Sequence, residues 1–242
     1  MRIAFDLDGV LADLESVLTE AAERMFGAAA PAAPAAPAPD ATSADAASRA
    51  LEEAAPADEA PDDEPVPPLV HQLTAAQQRR LWQAVLDTEN FWESLNETEP
   101  GIIARIAAIA LERRWDVIFV TQRPSSAGDS CQLQSQRWLV RRGFPMPSLF
   151  VIRGSRGKVA AALDLDAVVD DRPDNCLDVV LESKARAFLV WRGDASAPSA
   201  ANARRLNIEV VQSVGDCLDV LTKEEAEKPS GLLGRLKRLI GS

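Results

Sequence analysis

Two aspartates one residue apart, Asp6 and Asp8, follow the apolar run Ile3-Ala4-Phe5 and precede Gly9. Side chains at i and i+2 of an extended segment share a face, so both carboxylates can enter one crevice and share one cation. Unneutralised they would repel each other, which calls for a metal or a bound proton. A chemistry that such a pair suits is phosphoryl transfer, with a carboxylate as nucleophile. Taken alone, Asp-x-Asp-Gly also fits a strand running into an ordinary Asp/Gly turn or a fragment of a calcium loop. The rest of the chain has to decide.

Three more polar signals recur farther along. Thr121 ends an apolar run and is followed by Gln122-Arg123-Pro124, so a hydroxyl and turn amides there can bind a phosphate oxygen. Lys158 lies near a helix start, where an ammonium would neutralise phosphate and carboxylates. Asp170-Asp171-Arg172-Pro173-Asp174-Asn175 forms a second acidic cluster. Each has a plainer reading: Thr121 as a turn cap, Lys158 as a solvated lysine, and Asp170 to Asn175 as the capped start of a helix with Pro173 in its first turn. Together, strand-Asp-x-Asp, strand-Thr, Lys and strand-Asp-Asp make a conjunction that the plain readings do not explain.

The elements that must position these residues follow from periodicity. Leu11 to Phe26 has helical spacing, and Thr74 is a plausible N-cap for a helix through Leu86. From residue 101 helices alternate with short apolar runs. Helices over 102–114, 130–142, 155–163 and 175–183 are each followed by a strand, over 116–120, 149–152, 167–169 and 187–190 respectively. An edge strand at 208–211 and a closing helix over 215–227 complete the pattern. Alternation of this kind predicts βαβ crossovers and a doubly wound, mainly parallel Rossmann-like α/β sheet. In such sheets ligands sit outside the carboxyl ends of the strands, where the four polar signals fall.

Residues 27–68 contain 17 Ala and 9 Pro, with only Leu51 and Val66 as large aliphatics. Burial cannot offset the ordering entropy of such a stretch, which reads as a disordered linker. Nine acids against Arg49 there supply −8 of the net −11. The low pI is therefore mostly a linker property, and it argues against binding a nucleic-acid polymer. Cys131, Cys176 and Cys217 are widely spaced and odd in number, which fits a reducing compartment rather than disulfides or zinc. With no signal-peptide pattern and no apolar stretch of about 18 residues, the expectation is a cytoplasmic protein. His71 is the only histidine, so a histidine mechanism is unsupported, and Gly154-Ser-Arg-Gly157-Lys158 lacks the spacing of a Walker loop.

With these motifs in this order, over residues 1–13 and roughly 99–192, the chain resembles haloacid-dehalogenase-superfamily phosphatases. Phe5-Asp-Leu-Asp-Gly-Val-Leu-Ala-Asp13, Phe91-Trp92 with Leu95, Pro100-Gly101 and the Asp170-Asp171 pair make it similar to the 5′(3′)-deoxyribonucleotidase branch in particular. The resemblance implies Asp6 as nucleophile and Asp8 as acid and base. It implies Mg²⁺ held by the Asp6 and Asp170 carboxylates and the Asp8 backbone carbonyl, phosphate binding by Thr121, Gln122 and Lys158, and a supporting role for Asp171. It also implies a catalytic core of residues 1–13 and 99–227, and a small helical cap over 14–98 that contains the linker.

Phe91 and Trp92 are candidate walls of the substrate pocket, where a nucleobase could stack, or packing residues between cap and core. Arg123 is a candidate phosphate or base contact, or a surface arginine. A (deoxy)nucleoside monophosphate is the expected substrate. A sugar phosphate or other small metabolite is the alternative, and a catalytically silent binding module the remaining one. Residues 228–242 carry Lys228, Arg235, Lys237 and Arg238 without acids, beside Leu232, Leu233, Leu236, Leu239 and Ile240. That pattern predicts a basic amphipathic tail that docks on its own chain, on an anionic membrane surface or in a partner groove.

Overall fold

A computed structural model describes residues 1–27 and 73–227. The Ala/Pro-rich linker and the basic tail read from the sequence lie outside the described residues, as does His71. No helix of the described residues is long and apolar enough to cross a membrane.

Six strands form one parallel sheet: β1 (Arg2–Phe5), β2 (Asp116–Thr121), β3 (Ser148–Val151), β4 (Ala167–Asp170), β5 (Arg186–Val190) and β6 (Glu209–Val211). Their spatial order is β3-β2-β1-β4-β5-β6. Phe5 pairs with Phe119 of β2 and with Val169 of β4, which brings the carboxyl ends of the three central strands level. The order reverses at β1, and the first aspartate pair lies at that switch point, where a doubly wound sheet opens a crevice. The expected doubly wound α/β architecture is the one found.

The described residues form eight α-helices: α1 (Leu14–Phe26), α2 (Ala75–Leu86), α3 (Ile102–Arg113), α4 (Cys131–Arg141), α5 (Arg156–Ala162), α6 (Pro173–Glu182), α7 (Pro198–Arg205) and α8 (Val214–Glu227). One core cluster joins Ile3, Phe5, Phe119 and Val169 to Leu95, Ile103, Trp138 and Leu218. A second, on the other sheet face, joins Ala4, Val120, Val168 and Leu189 to Cys176, Val179 and Ala200. Alternate strand residues thus feed opposite cores, as the strand period demands.

Local signals account for most boundaries. Asp13 accepts from the Ser16 amide and starts α1 three residues later than periodicity alone suggests, because Gly9 to Ala12 form a turn. Thr74 and Gln77 form a reciprocal capping box for α2. Ser130 and Ser155 cap α4 and α5, and Pro173 opens α6 two residues before its predicted start. α7 was not expected. Its buried face consists of Ala200 and Ala203, which give no amphipathic signal.

The insertion leaves the core and returns at neighbouring points. Ala12 and Glu97 form an antiparallel bridge, and the Asp13 amide donates to the Asn96 carbonyl at 2.9 Å. α1 and α2 pack together within it, burying Leu18, Ala22, Leu81, Trp82 and Val85. A short 3₁₀ turn, Phe91–Glu93, instead lies against α4, because Gln134 accepts from the Trp92 amide and Trp138 donates to the Leu95 carbonyl.

Candidate active site

Asp6 directly follows β1, and its own amide remains tied to the Val169 carbonyl of β4 at 2.9 Å. Asp8 stands beyond it at the rim, and Thr121 ends β2 on one side while Asp170 ends β4 on the other. Asp6, Thr121 and Asp170 are all buried. The sequence-predicted cluster of Asp6, Asp8, Thr121 and Asp170 is therefore one site at the switch point.

The cation beside Asp6 differs from the one expected. Arg156, in the first turn of α5, donates from Nη2 to Asp6 Oδ1 at 2.6 Å, and its Nε lies 3.4 Å from Asp170 Oδ2. Lys158 is 78% exposed and faces Glu182 at 3.9 Å, away from the carboxylates. Arg156, and not the expected Lys158, is therefore the cation that faces Asp6 and Asp170. Two residues along a helix turn the side chain by about 200°, so only one of the two cations can face inward. A basic residue was expected at this helix start, but its phase was not visible in the sequence. Gly157 sets that phase, since a Cβ there would lie 2.1 Å from the Asp178 carbonyl of α6.

Asp170 is itself fully buried and, besides Arg156, is held by two donors. The Arg172 amide reaches Oδ1 at 2.9 Å, and Asn175 Nδ2 reaches both oxygens at 3.0 and 3.1 Å. The acidic run thus serves two ends at once, with Asn175 of α6 orienting the carboxylate that ends β4. Asp171 packs on the loop after β1: a Cβ on Gly9 would collide with its carboxylate, and Gly9 holds φ +78°, so glycine is required there twice over. Gln122 is exposed beside the crevice.

Arg123 is neither a surface residue nor a free substrate contact. Its side chain is 0% exposed, and it grips Asp8 with Nε to Oδ2 at 2.8 Å and Nη2 to Oδ1 at 2.6 Å. Thr121 Oγ1 also donates to Asp8 Oδ2 at 3.3 Å. Trp92, 1% exposed, lies under the Arg123 guanidinium at 4.8 Å and donates its indole N–H to the Pro124 carbonyl. Phe91 is 4% exposed and meets Trp92 edge to face. These two aromatics are packing residues with no face open to a nucleobase, which corrects their assignment to the pocket wall. Both are hydrophobic neighbours of a polar anchor, and burying their area outweighs exposing it to a ligand.

Burial pushes the Asp6 carboxyl up to about 8; Arg156 opposes the rise, and Asp170 and Asp8 add to it. Burial also works against the charge on Arg156, but Asp6 and Asp170 outweigh that and raise its pKa. Three carboxyl groups, Asp6, Asp8 and Asp170, share the two guanidiniums of Arg156 and Arg123.

Among the described residues, no three His, Cys, Asp or Glu side chains converge as a complete metal-ligand set. The donor chemistry nonetheless fits a hard cation. Asp6 and Asp170 offer only oxygens and Asp8 adds a backbone carbonyl, the donor types that a hard divalent ion takes.

No protein-family model matches the chain, and no curated protein sequence does. Solved structures do match. A chain from Thermotoga maritima, provisionally described as a beta-phosphoglucomutase, is 18% identical with a TM-score of 0.50, covering 92% of this chain and 98% of that one. A haloacid dehalogenase-like hydrolase from Burkholderia xenovorans LB400, also a provisional description, is 16% identical with a TM-score of 0.49, over 90% and 94% of the two chains. A haloacid dehalogenase-like family hydrolase from Streptococcus pneumoniae is 14% identical with a TM-score of 0.48, over 91% and 97%. The likeness to the Thermotoga chain shows the fold, a mainly parallel Rossmann-like α/β sheet.

Proposed function

We propose that this chain is a Mg²⁺-dependent phosphomonoester hydrolase of the haloacid dehalogenase type, working through an aspartyl phosphate on Asp6. The observation that carries the reading is the convergence on Asp6 of Arg156 from α5 and Asp170 from β4, with Asp8 and Thr121 beside it. These are a nucleophile, an acid/base partner, a hydroxyl and a third carboxylate at the carboxyl ends of three adjacent strands, with a buried cation reaching them from a helix start.

Asp6 attacks phosphorus in line, and the bond to the ester oxygen breaks as Asp8 delivers a proton to that oxygen. Water then attacks the phosphorus of the aspartyl phosphate, Asp8 takes up its proton, and inorganic phosphate leaves with Asp6 restored. Thr121 and Arg156 hold phosphoryl oxygens as charge shifts onto them. Asp6, Asp170 and the Asp8 carbonyl would hold Mg²⁺, with Asp171 bracing the loop that presents Asp8. The ion, when bound, adds positive charge beside the transferred group.

The substrate is a small phosphate ester. Because Phe91, Trp92 and Trp82 are all buried, base stacking on them no longer favours a nucleotide. Sugar phosphates stand beside nucleoside monophosphates as the substrate class, and the Thermotoga chain of similar fold carries a sugar-phosphate name. Phosphate release with Mg²⁺ across nucleoside 5′- and 3′-monophosphates and sugar phosphates tests this. Turnover lost in chelator and in Asp6→Asn is expected. Activity surviving either one would remove the mechanism, and the faster class names the substrate.

A further inference from the structure

We infer that Arg123 is a positioning residue that aims the Asp8 carboxylate and does not bind the substrate phosphate. The inference rests on the proposed hydrolase reading and goes beyond it, to how the acid/base group is held.

Three observations point the same way. First, the Arg123 guanidinium is fork to fork with Asp8, using two nitrogens on two oxygens, a geometry that fixes direction as well as distance. Second, its remaining terminal nitrogen is committed elsewhere: Nη1 donates to Ser135 Oγ at 2.7 Å, and that hydroxyl donates to the Cys131 carbonyl at 2.6 Å. The side chain is fully enclosed and each of its three nitrogens has a protein partner, so the crevice is served only through Asp8. Third, the ring below Arg123 is itself anchored. Gln134 Oε1 accepts from the Trp92 amide at 3.0 Å, while Gln134 Nε2 donates to the Asp129 carbonyl at 2.5 Å and to Ser126 Oγ at 3.0 Å.

Asp8 lies outside the strand, directly before the turn that Gly9 opens, and is the carboxylate that must move a proton twice in the cycle. Without a brace its side chain would sample several rotamers. The stack Gln134, Trp92, Arg123, Asp8 carries rigidity from α4 to the rim of the crevice. Arg156 has the opposite arrangement, since it contacts the nucleophile Asp6 directly and can reach a phosphoryl oxygen. The two arginines thus divide the work: Arg156 serves charge and Arg123 serves aim.

The discriminating variants are Arg123→Lys, which keeps the charge but loses the fork, and Ser135→Ala, which loosens the far end of Arg123 and is unlike a buried-charge deletion in its burden on folding. Two phosphate esters serve as probes, 4-nitrophenyl phosphate, whose leaving group needs no proton, and an alkyl phosphate, whose leaving group does. Inorganic phosphate as a competitive inhibitor reads binding. Misplacing a general acid by about an ångström costs on the order of 100-fold. We expect Arg123→Lys to lose about that factor in kcat/KM on the alkyl ester and several-fold less on the aryl ester, with inhibition by phosphate unchanged. Ser135→Ala should show the same asymmetry in weaker form. Weakened phosphate inhibition, or equal losses on both esters, would overturn the inference by making Arg123 a substrate contact or a purely structural residue. Should Arg123→Lys fail to fold, the asymmetry in Ser135→Ala decides alone. A wild-type protein inert toward both esters would instead refute the hydrolase reading.

Discussion

Asp6 is held in a conflict between burial and charge. An aspartate carboxyl ordinarily titrates near 3.8, whereas burial, with Asp170 and Asp8 adding to it, moves Asp6 up to about 8 in the metal-free fold. The folded chain therefore binds this proton more tightly than the unfolded one. Between about pH 4 and about pH 8 the unfolded chain is ionised while folded Asp6 keeps its proton, so stability falls as pH rises across that window and levels off above it. In chelator, melting temperature should decline with pH in the wild type and decline less in Asp6→Asn, which cannot ionise. Parallel slopes would show that Asp6 carries no such strain. The neighbouring cations make a second contrast. Arg156→Ala removes the partner of Asp6 and should abolish turnover. Lys158→Ala removes a solvent-exposed group and should leave kcat/KM and stability close to the wild type. The reverse result in a phosphate-release assay would restore Lys158 to the site. The sequence could not separate the two, because Arg156 and Lys158 share a helix start and only packing reveals which one turns inward. The carboxylates were legible because Asp6 and Asp170 close apolar runs, and the carboxyl ends of such strands are where a doubly wound sheet opens its crevice.

At the scale of elements, α5 is a seven-residue helix whose position is set by its fit to α6. Gly157 approaches the Asp178 carbonyl so closely that a methyl group has nowhere to go. Gly157→Ala should push the two helices apart, cost about 1–3 kcal/mol and carry Arg156 away from Asp6. Urea unfolding and phosphate release should both report the change; a stable, fully active variant would mean that α5 can shift without consequence. Strand and helix order was readable from alternating periodicity, and the caps Asp13, Thr74, Ser130 and Ser155 carried their own local signals. The 3₁₀ turn at Phe91–Glu93 was harder to read. Its aromatics suit a ligand wall or a packing surface equally well in sequence, and only the bonds to Gln134, Pro124 and Trp138 on or before α4 decide for packing. α7 escaped notice because alanine packs tightly without producing an apolar stripe.

Across the whole molecule, one carboxylate ties the distant parts of the crevice together. Glu99 accepts from the Val214 and Gly215 amides at the start of α8, at 2.7 and 3.0 Å, and pairs with Arg192 at 3.3 Å. Arg192 in turn holds the Gly9 and Val10 carbonyls of the catalytic loop, and Thr98 adds a bond to Val10 at 2.6 Å. The end of the insertion, the loop after β5 and the last helix thus converge on the turn that presents Asp8. Glu99→Ala leaves Arg192 and two helix-start amides without their acceptor, and a loss of about 1–3 kcal/mol is expected in thermal or urea unfolding. No change would show that water replaces Glu99 at no cost. Such a network is invisible in sequence, since Glu99 lies 93 positions from Arg192 and 115 from Val214 and none of them stands out by type.

The central claim is that Asp6 itself carries the phosphoryl group. Rapid acid quenching of the enzyme with Mg²⁺ and a turned-over phosphate ester, followed by mass analysis of the peptide containing Asp6, measures it directly. One added phosphoryl group on Asp6 in the wild type, and none in Asp6→Asn, is the expected result. Continued phosphate release by Asp6→Asn, or a phosphoryl group trapped on another residue, would contradict it.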